Sequence, residues 1–232
     1  MNNRPPNALL SALPINQLAR VTPLLKRVEL AAGQRLSEPG AAGSFIYFPE
    51  TSVISCIAAM EDGKSAEVGI IGFEGVADVA SLLGSREPAQ ALSVSISGTA
   101  LKANKKDFAR ELFDGNGVHQ AVLEYAAQYV GQVSQRSACA VLHRLEQRFA
   151  TWLLLLFDRL HEDVIHITHE RIAQNLGVRR AGITGIVAEM QAVGAITNSR
   201  GLLRLTDRSK LEAIACECYG PLAIQPPQPI NK

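Results

Sequence analysis

The apolar positions of this chain change their period along its length. From about Leu24 to Leu101, short runs such as RVEL, IYF, SVISCIA, AEVGII and LSVSIS alternate apolar and polar residues or form brief apolar blocks. AAGQ, EPGAAG, MEDGK and GSREP punctuate them with Gly and Pro. Alternation puts every second side chain on one face, and Gly or Pro supplies the turns, so the region is predicted to be a β-sandwich, barrel or roll. A short helical pattern, Ala8 to Leu25 with a break at Pro14, precedes it.

After Asp114–Gly117 the period lengthens. Val118, Val122, Tyr125, Tyr129 and Val133 follow at intervals of four, three, four and four. That is an a/d-like seam on one helix, and a seam needs a partner surface. Two readings are open: the helix packs on its own domain, or it pairs with a second copy across a two-fold axis. The spacing favours the second, which makes these five residues a candidate dimer interface. Leu142 to Leu160 is strongly amphipathic and carries Trp152, and His161–Val164 breaks it.

The stretch HERIAQNLGVRRAGITGIVAEM, His169 to Met190, reads as two short helices hinged at Gly177. Thr168 can cap the first helix and Glu170 suits its first turn, although Arg171 stands where a capping-box Glu would complete the motif. Ile172 and Leu176 face inward, Gly177 allows a left-handed helix end, and Val178 packs in the turn. In the second helix Ile183, Ile186 (or Val187) and Met190 face the core. Arg179, Arg180, Ala181, Thr184 and Ala188 face out, and Gly182 and Gly185 are residues a helix disfavours. GAITNSRGLLRLTD follows as strand, turn and strand, with Gly201 in the turn. Helix, helix, hairpin is the order of a winged helix-turn-helix.

A short helix with an arginine-rich start and small residues behind it suits the DNA major groove, because small residues let the backbone approach. From Thr168 to Lys210 there are seven basic residues (Arg171, Arg179, Arg180, Arg200, Arg204, Arg208 and Lys210) against Glu170, Glu189 and Asp207, a local balance of +4. Arg200 at the hairpin tip can reach phosphate. The competing reading is a helical hairpin with solvated arginines.

Composition narrows the field. The chain has 232 residues, 47 % hydrophobic and 19 % charged, with a net charge of +1. That suits one or two folded domains and leaves room for a local basic patch in a neutral total. Aromatic residues are 5 %, too few for a single-strand stacking surface. MNNRPPNALL carries no long apolar run, and Trp152 to Phe157 is too short to span a bilayer, so no signal peptide or membrane contact is expected and the cytoplasm is the expected compartment. The tail, 221–232, is Pro-rich and expected to fray.

ITHERIAQNLGVRRAGITGIVAEMQAVGAI, with its trailing SRGLLRLTD, resembles the C-terminal domain of the CRP/FNR superfamily of transcription regulators. AAGQRLSEPGAAGSFIYFPETSVIS resembles the opening strands of that family's cyclic-nucleotide-binding-type β-roll, and the seam from Val118 matches its long dimer helix. The likeness covers nearly the whole chain, and VRR, SRG and CECY resemble one branch in particular. It implies an α+β fold: a jelly-roll-like β-roll (1–115), a dimerisation helix (116–141), a winged helix-turn-helix (142–220) and the tail (221–232). It implies a homodimer bound to double-stranded DNA, with a recognition helix at about 179–190, and adds RNA polymerase as a candidate partner.

By that resemblance Arg180 matches the base-reading arginine, while His169 and Arg179 match positions near phosphate. Ala181 and Gly185 stand where cyclic-AMP-responsive members place a glutamate and a second arginine, which implies a different operator, with Thr184 supplying a contact. Thr168, Ser199 and Arg200 complete the candidate DNA-binding set.

Cyclic-nucleotide binders in the family need a Gly-Glu pair for the ribose and an Arg followed by Ser or Thr for the phosphate. Here Ala89 and Gln90 occupy the Arg-Ser place, Glu87 follows Arg86, and Phe73 precedes Glu74. A phosphodiester anion wants a cation and N–H donors, so cyclic-nucleotide binding is expected to be lost. Glu74, Arg86 and Gln90 mark the candidate effector pocket, its ligand unknown.

No cofactor or metal is expected. The four cysteines are Cys56, Cys139, Cys216 and Cys218. None precedes Cys56, so the N-terminal iron–sulfur cysteines of oxygen-sensing relatives are absent. Cys216-Glu-Cys218 offers two ligands, too few for structural zinc, and reads as two buried or idle thiols. His143, His161, His166 and His169 form no ligand set by spacing. No catalytic motif appears, so no enzyme is expected, and Glu67, Glu74 and Asp78 read as carboxylates on a solvated face. The rival to a DNA-binding regulator is a small-molecule, nucleotide-like sensor module whose DNA binding is weak or vestigial.

Overall fold

The chain opens with two short helices, α1 (Ala8–Ser11) and α2 (Ile15–Val21), separated at Pro14. Asn7 fixes them to the strands that follow. Its Oδ1 accepts the Leu10 N–H at 3.2 Å, and its Nδ2 donates to the carbonyls of Pro49 and Gly75, each at 2.9 Å. The side chain is fully buried with donors and acceptor satisfied, which is what makes a buried amide tolerable.

The strands are β1 (Lys26–Leu30), β2 (Arg35–Ser37), β3 (Phe45–Pro49), β4 (Val53–Ala59) and β5 (Ser65–Ile71); after helix α3 (Val79–Leu82) come β6 (Ala91–Ile96) and β7 (Gly98–Asn104). β1, β7 and β3 form an antiparallel sheet in that order, with Val28 opposite Ala100 and Phe48 opposite Leu101. A second sheet runs β2-β6-β4-β5. Each of the five strand-like runs in the sequence is a strand. β2 and β7 add to them; the latter, GTALKAN, carries too many polar residues to show a period.

Helix α4 (Lys105–Phe113) and the long α5 (Gly117–Leu142) follow, then α6 (Leu145–Phe157), β8 (Val164–His166), α7 (His169–Leu176), α8 (Arg180–Ala192), β9 (Ile196–Ser199), β10 (Leu202–Leu205), α9 (Arg208–Ile214) and α10 (Tyr219–Leu222). The computed structural model describes residues 5–38, 40, 43–85, 90–113, 117–160 and 162–224. They divide into two units: residues up to 56 with 70–131, and residues 57–69 with 132–224. The expected tail begins inside α10, which includes Pro221. The rest of it, 225–232, lies outside the described residues, as do His161, Arg86, Glu87 and Ala89.

The core of the first unit corrects the dimer seam. Val118, Val122 and Tyr125 are 2 %, 0 % and 6 % exposed, and they join Leu10, Leu13, Phe48, Phe108 and Leu112 in one cluster, with Tyr129 packed against it. Val133 is half-buried. Val118, Val122, Tyr125 and Tyr129 therefore serve the helix's own domain, the alternative the spacing left open. Gly75 makes room for Tyr125, because a β-carbon at position 75 would run into the Tyr125 ring.

In the second unit, the hydrophobic stripe of α6 is wider than amphipathy suggested. Every residue from Phe149 to Phe157 is buried. Trp152 Nε1 donates to Glu67 Oε1 at 2.8 Å, and Arg136 Nη2 donates to the same oxygen at 2.9 Å. Glu67 is thus a buried, doubly bonded carboxylate and no part of a solvated face. Asp78 departs from that reading too: in the first unit it pairs with Lys105 at 2.6 Å, the carboxylate 6 % exposed.

Candidate nucleic-acid interface

Two helices and a hairpin build the site, all within the second unit. Thr168 caps α7, its Oγ1 accepting the Arg171 N–H at 3.2 Å. Gly177 ends that helix with φ 67°, a left-handed conformation that glycine adopts without the steric cost of a β-carbon. Arg179 then stands in extended conformation as the N-cap of α8, with no side-chain capping bond, so its guanidinium takes no part in holding the helix end. The observed helix, Arg180–Ala192, runs two residues beyond the expected end.

α8 has two faces. Ile183, Ile186, Val187 and Met190 are buried; both of the alternatives at 186 and 187 point inward. Arg179, Arg180, Ala181, Thr184, Gly185 and Ala188 are exposed. The fold does not need either glycine of this helix. A β-carbon at Gly182 would lie 3.5 Å from Leu145 Cδ2, ordinary contact, and one at Gly185 would meet nothing within 4 Å.

The wing is a three-stranded sheet in the order β8-β10-β9. β8, three residues long, starts at Val164, the last residue of the expected break, and adds a strand that the sequence pattern did not show. Arg200 and Gly201, with φ of 52° and 81°, form the two-residue turn between β9 and β10. Positive φ at both turn residues matches the twist of a tight hairpin. Ser199, Arg200 and Arg204 are exposed. Arg208 is not available to the basic face: its guanidinium bonds to Asp158, to Glu212 at 2.9 Å and to the Tyr219 hydroxyl at 2.6 Å. Burial works against its charge, but the Asp158 carboxylate outweighs that and raises its pKa.

His169 ties the three parts together. Its Nδ1 is 3.1 Å from Thr184 Oγ1 on α8, and its Nε2 is 2.8 Å from Asn198 Nδ2 on β9. Thr184 Oγ1 in turn donates to the Arg180 carbonyl at 3.3 Å. One proton assignment satisfies the chain: Asn198 donates to Nε2, Nδ1–H donates to Thr184, and Thr184 donates to Arg180. Asn198 was not visible in the sequence, because a lone Asn on a short strand carries no pattern.

The candidate effector residues are not assembled in the same way. The Glu74 carboxylate accepts the Gly72 N–H at 3.1 Å from each oxygen, Gln90 is half-buried, and Arg86 lies outside the described residues.

Among the described residues, no helix is long and apolar enough to cross a membrane. Residues 147–214 match the family model of the Crp-like helix-turn-helix domain. No curated protein sequence matches the chain. Among solved structures, a CRP-family transcriptional regulator from Thermus thermophilus is similar with a TM-score of 0.68 and 17 % identity, over 82 % of this chain and 96 % of its own. A CRP/FNR-family regulator from the same organism gives 0.65 at 19 %, over 82 % and 98 %. FixK2 from Bradyrhizobium japonicum gives 0.71 at 12 %, over 83 % and 98 %. Residues 147–214 are therefore similar to the Crp-like helix-turn-helix domain, and the chain is similar in fold to these regulators.

Proposed function

We propose that the chain is a homodimeric, sequence-specific DNA-binding transcription regulator acting in the cytoplasm. The observation that carries this is the exposed face of α8. Two exposed arginines stand at its start, a run of small residues lies behind them, and Arg200 projects from the hairpin turn that follows β9. Arg180 reads a guanine through O6 and N7 in the major groove. Arg179, Ser199 and Arg200 contact phosphate, and the Thr168-capped start of α7 faces the backbone. His169 positions Thr184 rather than contacting DNA itself, since both its ring nitrogens are engaged within the protein.

The dimer forms along a different face of α5 from the one its first pattern suggested. Leu123, Ala127, Val130, Ser134, Ser137 and Val141 follow at four, three, four, three and four residues. Leu123, Val130 and Val141 are 45 %, 64 % and 83 % exposed. That spacing is the 3.5-residue repeat of a two-stranded seam, and a second copy of this helix satisfies it.

The N-terminal roll, 1–115, holds or senses for the dimer without cyclic AMP, because Glu74 is turned to the Gly72 backbone and no Arg-Ser pair stands before β6. RNA polymerase is the partner through which the bound dimer acts. Selection of bound duplexes from a random pool tests the function. The expected result is enrichment of a two-fold symmetric sequence with half-sites about 34 Å apart, unaffected by cyclic AMP. Failure to retain any duplex specifically at low salt overturns the proposal.

A further inference from the structure

Cys139 lies near the C-terminal end of α5, and His143 follows one helical turn later, its N–H donating to the Cys139 carbonyl at 3.2 Å. Both face the segment between α9 and α10, which carries Cys216 and Cys218. The three sulfurs and a ring nitrogen of His143 lie within 4.8 Å of one another. The sequence showed only the Cys216-x-Cys218 pair and counted two ligands. The fold of this one unit supplies the other two, from a position more than seventy residues earlier in the chain.

We infer that Cys139, His143, Cys216 and Cys218 are a four-ligand site for a single zinc ion. Cys139 Sγ and Cys216 Sγ are 3.5 Å apart, and Cys218 Sγ and His143 Nδ1 are also 3.5 Å apart. A tetrahedron with metal–sulfur bonds of about 2.3 Å has edges of roughly 3.8 Å, so these separations suit ligands around a common centre. The small span of the set leaves space for one ion and excludes a multi-iron cluster. Three thiolates and an imidazole are a soft donor set of the kind that holds structural zinc.

The surroundings fit a metal site in three ways. His143 turns Nδ1 toward Cys218 while its Nε2 is 3.1 Å from Glu217 Oε1, the carboxylate that orients a ligating imidazole. Gln135 Nε2 donates to Cys218 Sγ at 3.1 Å, and Thr151 Oγ1 lies 3.2 Å from Cys216 Sγ, so two sulfurs have hydrogen-bonding neighbours. Three thiolates on a divalent ion leave one negative charge, and Arg148 lines the same cleft as Cys139.

Another reading fits less well. A disulfide needs sulfurs about 2.05 Å apart, closer than the 3.5 Å between Cys139 and Cys216. The ion would join the last turn of α5 to the segment after α9, closing the winged domain across its own termini.

The test uses the full chain purified without chelator. Elemental analysis is expected to find about one zinc per chain. After exchange, cobalt(II) should give the intense thiolate-to-metal absorption and the visible bands of a tetrahedral site. Cys218→Ser should lower the bound zinc several-fold. If that variant does not fold, the cobalt spectrum of the unaltered chain decides alone. Absence of stoichiometric zinc, an octahedral cobalt spectrum without thiolate bands, or a Cys139–Cys216 disulfide in the intact mass would each overturn the inference. None of these outcomes touches DNA binding, so the two proposals stand or fall separately.

Discussion

His169 Nδ1 lies 3.1 Å from Thr184 Oγ1, bridging the first residue of α7 to the exposed face of α8. Asn198 holds the other ring nitrogen from β9 at 2.8 Å. One imidazole therefore links α7 to both α8 and the wing. Asn198→Ala removes the amide and leaves every exposed arginine in place. It should lower operator affinity roughly tenfold, equivalent to about 1.4 kcal/mol, with the salt dependence unchanged. Fluorescence anisotropy over a salt series distinguishes this from a lost phosphate contact. A shallower slope would mean that Asn198 itself neutralises the backbone, against the positioning role.

Arg179 and Arg180 are adjacent but should fail differently. Arg179→Ala should weaken binding to all duplexes alike and reduce the salt slope by about one unit. Arg180→Ala should leave non-specific binding nearly intact and lose about 1–3 kcal/mol of discrimination at one base pair in each half-site. Competition with operators substituted one base pair at a time reads the difference. Equal profiles for the two variants would show that neither arginine reads sequence.

The two apolar faces of α5 make opposite predictions. Leu123→Glu together with Val130→Glu should yield a folded monomer with weakened operator binding, seen by sedimentation velocity and circular dichroism. Val122→Glu should unfold the N-terminal unit, because Val122 is fully buried there and an unpaired charge in a core is strongly unfavourable. A dimer that survives the double substitution would rule out this seam.

The helix-turn-helix was legible because its signals are local: a capping Thr168, a glycine at the αL position, and apolar residues at helical spacing. The strands of the roll were legible where alternation was clean and lost where it was not, as in GTALKAN. The α5 seam was misassigned for a different reason. Periodicity shows that a face is buried without naming what buries it, and Val118, Val122 and Tyr125 meet their own core. Asn198 and the Cys139–His143–Cys216–Cys218 set were hidden because tertiary folding, and no sequence spacing, brings their partners near.

Glu67 anchors the start of β5 to α6 and the last part of α5 through Trp152 and Arg136. Glu67→Ala would leave a buried guanidinium without its carboxylate and should cost about 3–5 kcal/mol. Glu67→Gln keeps an acceptor for Trp152 and should cost less. Trp152 is the chain's single tryptophan, so urea unfolding followed by its fluorescence reports this site directly. Equal losses for the two variants would place the stabilisation in packing, with the ion pair contributing little.

Gly182 and Gly185 are left unexplained by the folded chain alone. Alanine fits at both places, and glycine in a helix interior costs roughly 1 kcal/mol relative to alanine. Gly185→Ala should therefore raise the unfolding free energy by about that amount, measurable by urea titration. If the bare face exists so that backbone can approach the floor of the groove, the same substitution should weaken operator binding although the protein is more stable. A Gly182→Ala chain, whose new methyl lies toward Leu145 within the protein, should gain stability and keep its affinity. The pair separates the two roles. Loss of affinity at 185 alone assigns that glycine to the DNA, whereas full affinity in both variants would show that the smallness of α8 serves no contact.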